Sequence, residues 1–328
     1  MRFSIATLAL WASSAAATQA SPPIRNIYTF PPNHFIENIA VRSNSRLLIT
    51  SMSVPHLYSI NPLISAPAAD VVHTFASPSN ATGISGIAEI APDVFAVVVA
   101  DWDLFATRAI PGTLAVWTVD FTKPAAQRVK FVAQIANSTI FNGIARHPTN
   151  PRLLLAADSA AGAVWRVDLV TGASSVAFSS PLLAPTETAH LGINGLKAQG
   201  SYLYFTNSAQ GFLGKVAVDF NGNKVGAIEV LSEAADAGAD VVYDDIALDL
   251  NNGQGRVWVA SHPSYAIGVK LPGANQLVVN NTTKLLNPTA CAWGRGSRKQ
   301  KNTLYVTNGG EFLADFTLVN EGVVAIEL

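Results

Sequence analysis

Phe141-Asn142-Gly143-Ile144-Ala145-Arg146, then Leu153 to Asp158, then Gly162-Ala163-Val164-Trp165-Arg166-Val167 is the stretch whose reading decides the fold. Each run is five or six residues long and apolar or β-branched. The runs are separated by Pro148-Thr149-Asn150-Pro151 and by Ser159 to Gly162, which are turn chemistry. Runs this short, punctuated this often and lacking a 3.6-residue period, read as consecutive antiparallel strands rather than helices.

The same phrase recurs along the chain. Glu37-Asn38-Ile39-Ala40, Ser85-Gly86-Ile87-Ala88, Asn194-Gly195-Leu196-Lys197, Asp244-Asp245-Ile246-Ala247 and Thr289-Ala290-Cys291-Ala292 are its other copies. Taken from Ile39 through Ile87, Ile144, Leu196 and Ile246 to Cys291, the steps are 48, 57, 52, 50 and 45 residues. Each anchor is followed by a second apolar run: Leu47 to Ser51, Val94 to Asp101, Leu153 to Asp158, Tyr202 to Asn207, Val257 to Ser261 and Leu304 to Asn308. Periods of this size with only strand-like content between them indicate an all-β, six-bladed β-propeller. The last repeat stops at its third strand, Gly322 to Leu328. The segment of about 24–30 supplies the missing fourth strand and closes the ring, so residues 21–328 form one domain.

Composition agrees with a core-rich fold and excludes several functions. Of 328 residues, 49% are hydrophobic and 13% charged, and the formal net charge is -1, so no basic footprint for nucleic acid exists. Beyond residue 20 no apolar run is long enough for a transmembrane helix. Residues 1–20 read as a signal peptide: Arg2, the apolar run Phe3 to Ala12, and a small-residue exit ending at Ala20. A secreted or secretory-pathway location follows, with N-glycan acceptors at Asn80, Asn137, Asn280 and Asn281. Cys291, the lone cysteine, lies in an apolar run and reads as a packed core thiol.

In this topology the innermost strand of each blade starts on one face, here called upper, and the second strand returns to it. The starts of the inner strands bring Glu37, Ser85, Asn142, Asn194, Asp244 and Thr289 to one ring. The ends of the second strands add a polar rim that includes Trp102 and His262, and His190 precedes Asn194 on the same side. Histidines there offer acid/base groups near neutrality, and a rim tryptophan offers contact to an apolar ligand. His147, after an inner strand, belongs to the lower face. No Gly-x-Ser-x-Gly, His-Glu-x-x-His or Cys-x-x-Cys motif occurs.

On these anchors the chain resembles the senescence-marker/gluconolactonase (regucalcin-like) six-bladed propellers over the whole mature chain. The resemblance implies an axial divalent cation held by Glu37, by Asn142 and Asn194 in their Asn-Gly motifs, and by Asp244. Two carboxylates and two amide oxygens make a hard donor set suited to Ca²⁺ or Mg²⁺. The Gly-Pro-x-Trp run that commonly follows the first Glu in that family is absent, the chain reading Glu37-Asn38-Ile39-Ala40.

Within that family the sequence is similar to secreted fungal propellers that include hetero-Diels–Alderases of tropolone-sesquiterpenoid biosynthesis. This implies a pericyclase that joins a tropolone or quinone-methide precursor to a terpene olefin in the axial pocket, with no cofactor required. Cycloaddition needs two apolar partners held in near-attack geometry and a few donors to polarise an oxygen. Asn142, Asn194, Trp102, His190 and His262 are the expected substrate contacts, with Glu37 and Asp244 binding the metal or polarising a leaving hydroxyl. A divalent-metal-dependent lactonase and a non-catalytic small-molecule-binding propeller are the other readings left open.

Overall fold

The structure is a computed structural model that describes residues 22–76, 80–237, 241–249, 255–271 and 275–328; the signal peptide expected at 1–20 lies outside them. Six four-stranded antiparallel sheets follow one another along the chain. Their inner strands are Ile36–Val41, Gly83–Ala91, Phe141–Arg146, Ile193–Gln199, Val242–Asp249 and Pro288–Trp293, defining blades 1 to 6. Blade 6 is completed from the other end of the chain: Ile24–Thr29 pairs antiparallel with Gly322–Glu327, with Ile24 opposite Ile326 and Thr29 opposite Gly322. The expected closing strand is therefore present, and the outer edge of the last β-hairpin is covered.

Apolar residues fill the spaces between blades. One cluster joins Ile27, Phe30, Ile39, Leu47 and Tyr58 to Ala290, Val323 and Ala325, and so packs the first blade against the last. Cys291 sits in a similar cluster with Trp258, Leu304 and Ile326, and burial pushes its thiol far above the ordinary range, as the core reading required.

Every inner strand carries one extra residue at its anchor. In blade 3, Phe141 opposes Asp158 while Ile144 opposes Ala156; the same slip occurs at Ile36/Ile39, Ile84/Ile87, Ile193/Leu196, Tyr243/Ile246 and Pro288/Ala290. These are β-bulges, which turn a strand and re-aim its side chains. At three of the six, neighbouring backbones come close enough to exclude a Cβ. A Cβ on Gly86 would sit 2.2 Å from the Asn142 carbonyl oxygen, one on Gly143 would sit 2.4 Å from the Leu196 nitrogen, and one on Gly195 would sit 2.6 Å from the Asp245 Cα. The glycines of the Ser-Gly and Asn-Gly anchors are thus there for interblade clearance.

Hydroxyl groups tie these seams. Thr50 Oγ1 accepts from the Asn38 amide and donates to the Ser85 carbonyl at 2.7 Å. Ser85 Oγ donates to the Phe141 carbonyl, Ser159 Oγ to Ile193, Thr206 Oγ1 to Asp244 and Thr289 Oγ1 to Ile36, at 2.5–2.9 Å. Each bond runs from one blade to the inner strand of the next. At the seam between blades 5 and 6 the Cys291 thiol points back to the Trp258 carbonyl at 3.5 Å.

Gly143→Ala should therefore force blades 3 and 4 apart and cost about 1–3 kcal/mol, as overpacking of a closed core does. A lowered urea midpoint at unchanged m-value is the expected result; an unchanged midpoint would contradict the clearance argument.

Candidate functional site

The bulges deliver four polar side chains to the upper half of the axis and bury them almost completely. Glu37 is 5% exposed, Asn142 7%, Asn194 2% and Asp244 8%. Glu37, Asn194, Asp244 and His262 interact within one cluster. His262 Nε2 lies 3.1 Å from Asp244 Oδ2, and Asn194 Nδ2 donates to Ser208 Oγ at 2.9 Å. Ser208 Oγ in turn donates to the Tyr243 carbonyl, fixing the Asn194 amide. Asn142 reaches the same ring from blade 3.

Three oxygens in this ring lack hydrogen-bond partners: Asn142 Oδ1, Asn194 Oδ1 and Asp244 Oδ1. Buried acceptors are normally satisfied, so three orphans at one level point to a ligand. The residues that the family resemblance implicates in cation binding therefore fit a hard divalent ion in donor chemistry, with Glu37 as the fourth oxygen donor. Among the described residues no cluster of three or more His, Cys, Asp or Glu is arranged for a metal; a site here would depend on its two amides.

Electrostatics sharpen the picture. Burial first, and then the carboxylates of Asp244 and Asp245, hold Glu37 well above the ordinary value of 4.5. Burial also pushes Asp244 up, opposed by its hydrogen bond from His262. The ring thus sets a carboxyl whose charge is disfavoured beside the hydrogen-bonded Asp244–His262 pair.

Below the ring lies a group that the sequence reading missed. Lys197 Nζ binds both carboxylate oxygens of Asp245, at 2.8 and 2.6 Å, and Asn38 Nδ2 donates to Asp245 Oδ2 at 2.9 Å. Residues of blades 4, 5 and 1 therefore meet on the axis and form a polar floor. The signal was present: the residue after each anchor hydrophobe is Ala40, Ala88, Ala145, Ala247 or Ala292, and only Lys197 departs.

The remaining predicted residues are placed differently. Trp102 was expected at an open rim; its indole is 7% exposed and packs with Met52, Ala109 and Leu114 under a short hairpin formed by Trp102–Asp103 and Arg108–Ala109. His190 is exposed and has no side-chain partner among the described residues. A cavity of about 550 Å³ lies on the lower half of the axis, on the face opposite the expected funnel. Apolar surface on the upper face comes from two hairpins the sequence reading did not single out. Their tips, Phe105 and Phe316, are 84% and 71% exposed and meet edge to face with ring centroids 6.3 Å apart.

Fold and ring together define a six-bladed propeller with a polar axial site. Among solved structures the chain is similar to the calcium-binding protein regucalcin from Agrobacterium tumefaciens, with TM-score 0.62, 15% identity and 91% of both chains covered. It is also similar to a luciferin-regenerating enzyme, with TM-score 0.66, 15% identity, and 94% of this chain and 95% of that one covered. These likenesses establish the fold. No protein-family model matches the chain. By sequence it is similar to "Putative hetero-Diels-Alderase asR5" of Sarocladium schorii, 25% identical over 260 residues that cover 72% of this chain. The match spans 64% of that relative's length, just under two thirds. A second relative, "Putative hetero-Diels-Alderase" of Phoma sp, is 25% identical over 352 residues, covering 94% of this chain and 95% of its own.

Because the folded protein binds the Glu37 proton more tightly than the unfolded chain does, this group's contribution to stability is full below pH 4.5 and is lost as pH rises toward the raised value. Glu37→Gln should therefore gain on the parent above pH 4.5, by up to about 1.4 kcal/mol per pH unit. Urea unfolding of both proteins across that range checks this; a gap that is constant with pH would contradict it.

Proposed function

We propose that the chain is a hetero-Diels–Alderase-like pericyclase acting at the upper axial ring. The observation that carries this reading is the buried Glu37 carboxyl, its pKa raised by burial, set beside the Asp244–His262 pair, in a propeller similar over nearly its whole length to a protein of that name. The substrates would be a tropolone or other quinone-methide precursor and a terpene olefin, both largely apolar. The exposed aromatic tips Phe105 and Phe316 supply apolar surface on that face.

The chemistry asks little of the protein beyond proton handling and orientation. Glu37 donates its proton to the leaving benzylic hydroxyl, which departs as water. His262, oriented by Asp244, takes the ring hydroxyl proton of the precursor, and a quinone methide results. The two proton carriers are reset through solvent. Addition of the olefin across the oxadiene then forms one C–C and one C–O bond without further proton transfer. Asn142 and Asn194 hydrogen-bond the polar edge of the precursor and hold it for this step. Hydroxyls close to the ring donate to backbone carbonyls, so none is poised as a nucleophile.

The three orphaned oxygens favour a second reading, a divalent-metal-dependent lactonase. A Ca²⁺ or Mg²⁺ ion held by Glu37, Asn142, Asn194 and Asp244 would act there as a Lewis acid. Passage through the secretory pathway belongs to the proposal under either reading. It is supported by the exposure of Asn80, Asn137 and Asn280 at three of the four glycan acceptors.

Incubating the purified protein with a hydroxymethyl tropolone and a cyclic terpene olefin, with and without chelator, separates the readings. The pericyclase reading predicts faster product formation and a single stereoisomer, both insensitive to chelator, with His262→Ala slowed about 10²-fold or more. A rate and isomer ratio equal to the protein-free control would overturn it. Chelator-sensitive hydrolysis of an aliphatic lactone would establish the second reading in its place.

A further inference from the structure

The lower half of the axis is a second cavity, separated from the ring by the Lys197–Asp245–Asn38 floor. It is walled by the parts of the six inner strands that follow the bulges and has a volume of about 550 Å³. That lies within the range of small-molecule sites, about 300–1,000 Å³. Its wall is about evenly polar and apolar, with Ile39, Ile87, Ile144, Ile246 and Trp293 among the apolar residues that line it.

The charges facing this cavity do not cancel. Lys197 is consumed by Asp245, whose side chain is 2% exposed, and Arg295 is bound to Glu89. His147 has both ring nitrogens engaged, Nε2 with the Asp219 carbonyl at 2.8 Å and Nδ1 with the Asn150 amide at 2.9 Å. Burial lowers its pKa, so it adds no charge. Arg146 remains: its guanidinium lines the mouth and makes no ion pair or side-chain hydrogen bond among the described residues. One uncompensated cation therefore lines a cavity whose wall is half apolar. The Trp293 indole Nε1–H, also in the wall, is buried without an acceptor.

We propose that this cavity is a ligand site distinct from the upper ring, and that it takes an apolar molecule ending in a single carboxylate. The carboxylate pairs with the guanidinium fork of Arg146, whose two parallel N–H groups match carboxylate geometry, and the apolar body lies against the isoleucines and Trp293. A single negative charge is favoured because a dianion would meet one free cation only. The inference does not depend on the reaction at the ring.

Calorimetric titration of the protein with octanoate, octanol and acetate tests it. Octanoate should bind at least about tenfold more tightly than octanol, the scale of one charge-assisted contact, and acetate more weakly than either. Arg146→Gln should abolish the preference for octanoate over octanol, and Arg146→Lys should retain part of it. Neither variant should change the melting temperature, since Arg146 makes no ion pair in the fold. Octanoate binding no tighter than octanol, equal binding of acetate, or full octanoate affinity in Arg146→Gln would each overturn the proposal.

Discussion

The close approach of neighbouring inner strands at the level of their bulges is the constraint on which the rest depends. Backbones that leave no room for a Cβ at Gly86, Gly143 or Gly195 cannot slide past one another. Hydroxyl-to-carbonyl bonds at this level then fix each strand against the next. The bulges follow from the same crowding: an extra residue lets each strand keep its ladder while turning a polar side chain toward the axis. Glu37, Asn142, Asn194 and Asp244 are buried together because the geometry that packs the blades also aims them inward.

Burying so many polar groups is costly unless they are paired, and the axis divides them into two tiers. In the lower tier Asp245 is satisfied by Lys197 and by Asn38, a cross-blade contact between elements more than two hundred residues apart in sequence. The upper tier is left incomplete, with a Glu37 whose charge is disfavoured, orphaned amide oxygens and a half-satisfied Asp244. Stability would be better served by closing that tier too. Its incompleteness is what marks it as the place for a ligand, and the saturated tier beneath it isolates the ring from the lower cavity.

The architecture was legible because the anchor phrase repeats and because the second strands end in the same polar punctuation at each copy. Its bounds hold closely: Leu47–Ser51, Leu153–Asp158 and Tyr202–Asn207 are strands with the ends read from sequence. The ring was legible for the same reason, since register alone brings Glu37, Asn142, Asn194 and Asp244 to one level. What periodicity does not encode is how loops fold back. Trp102 looked exposed because it follows a strand end, yet it starts a short hairpin, paired with Ala109, and its side chain packs with Met52 and Leu114. Periodicity likewise gave no sign of the cavity below the ring, which the inner-strand residues after the bulges line. The Asp245–Lys197 pair was within reach: Lys197 is the one departure from alanine after the anchor hydrophobe, and Asp245 the one acid before it. Reading departures rather than repeats would have found it.

On the axis, burial and two neighbouring carboxylates disfavour charge on the Glu37 carboxyl and raise its pKa well above the ordinary value. Infrared spectroscopy of chelator-treated protein, followed as pH rises above 4.5, tests this most directly, through the C=O stretch of a protonated carboxylic acid. The account predicts such a band in the parent protein and its loss in Glu37→Gln. A parent spectrum with carboxylate bands alone, unchanged in the protonated-acid region by Glu37→Gln, would contradict it.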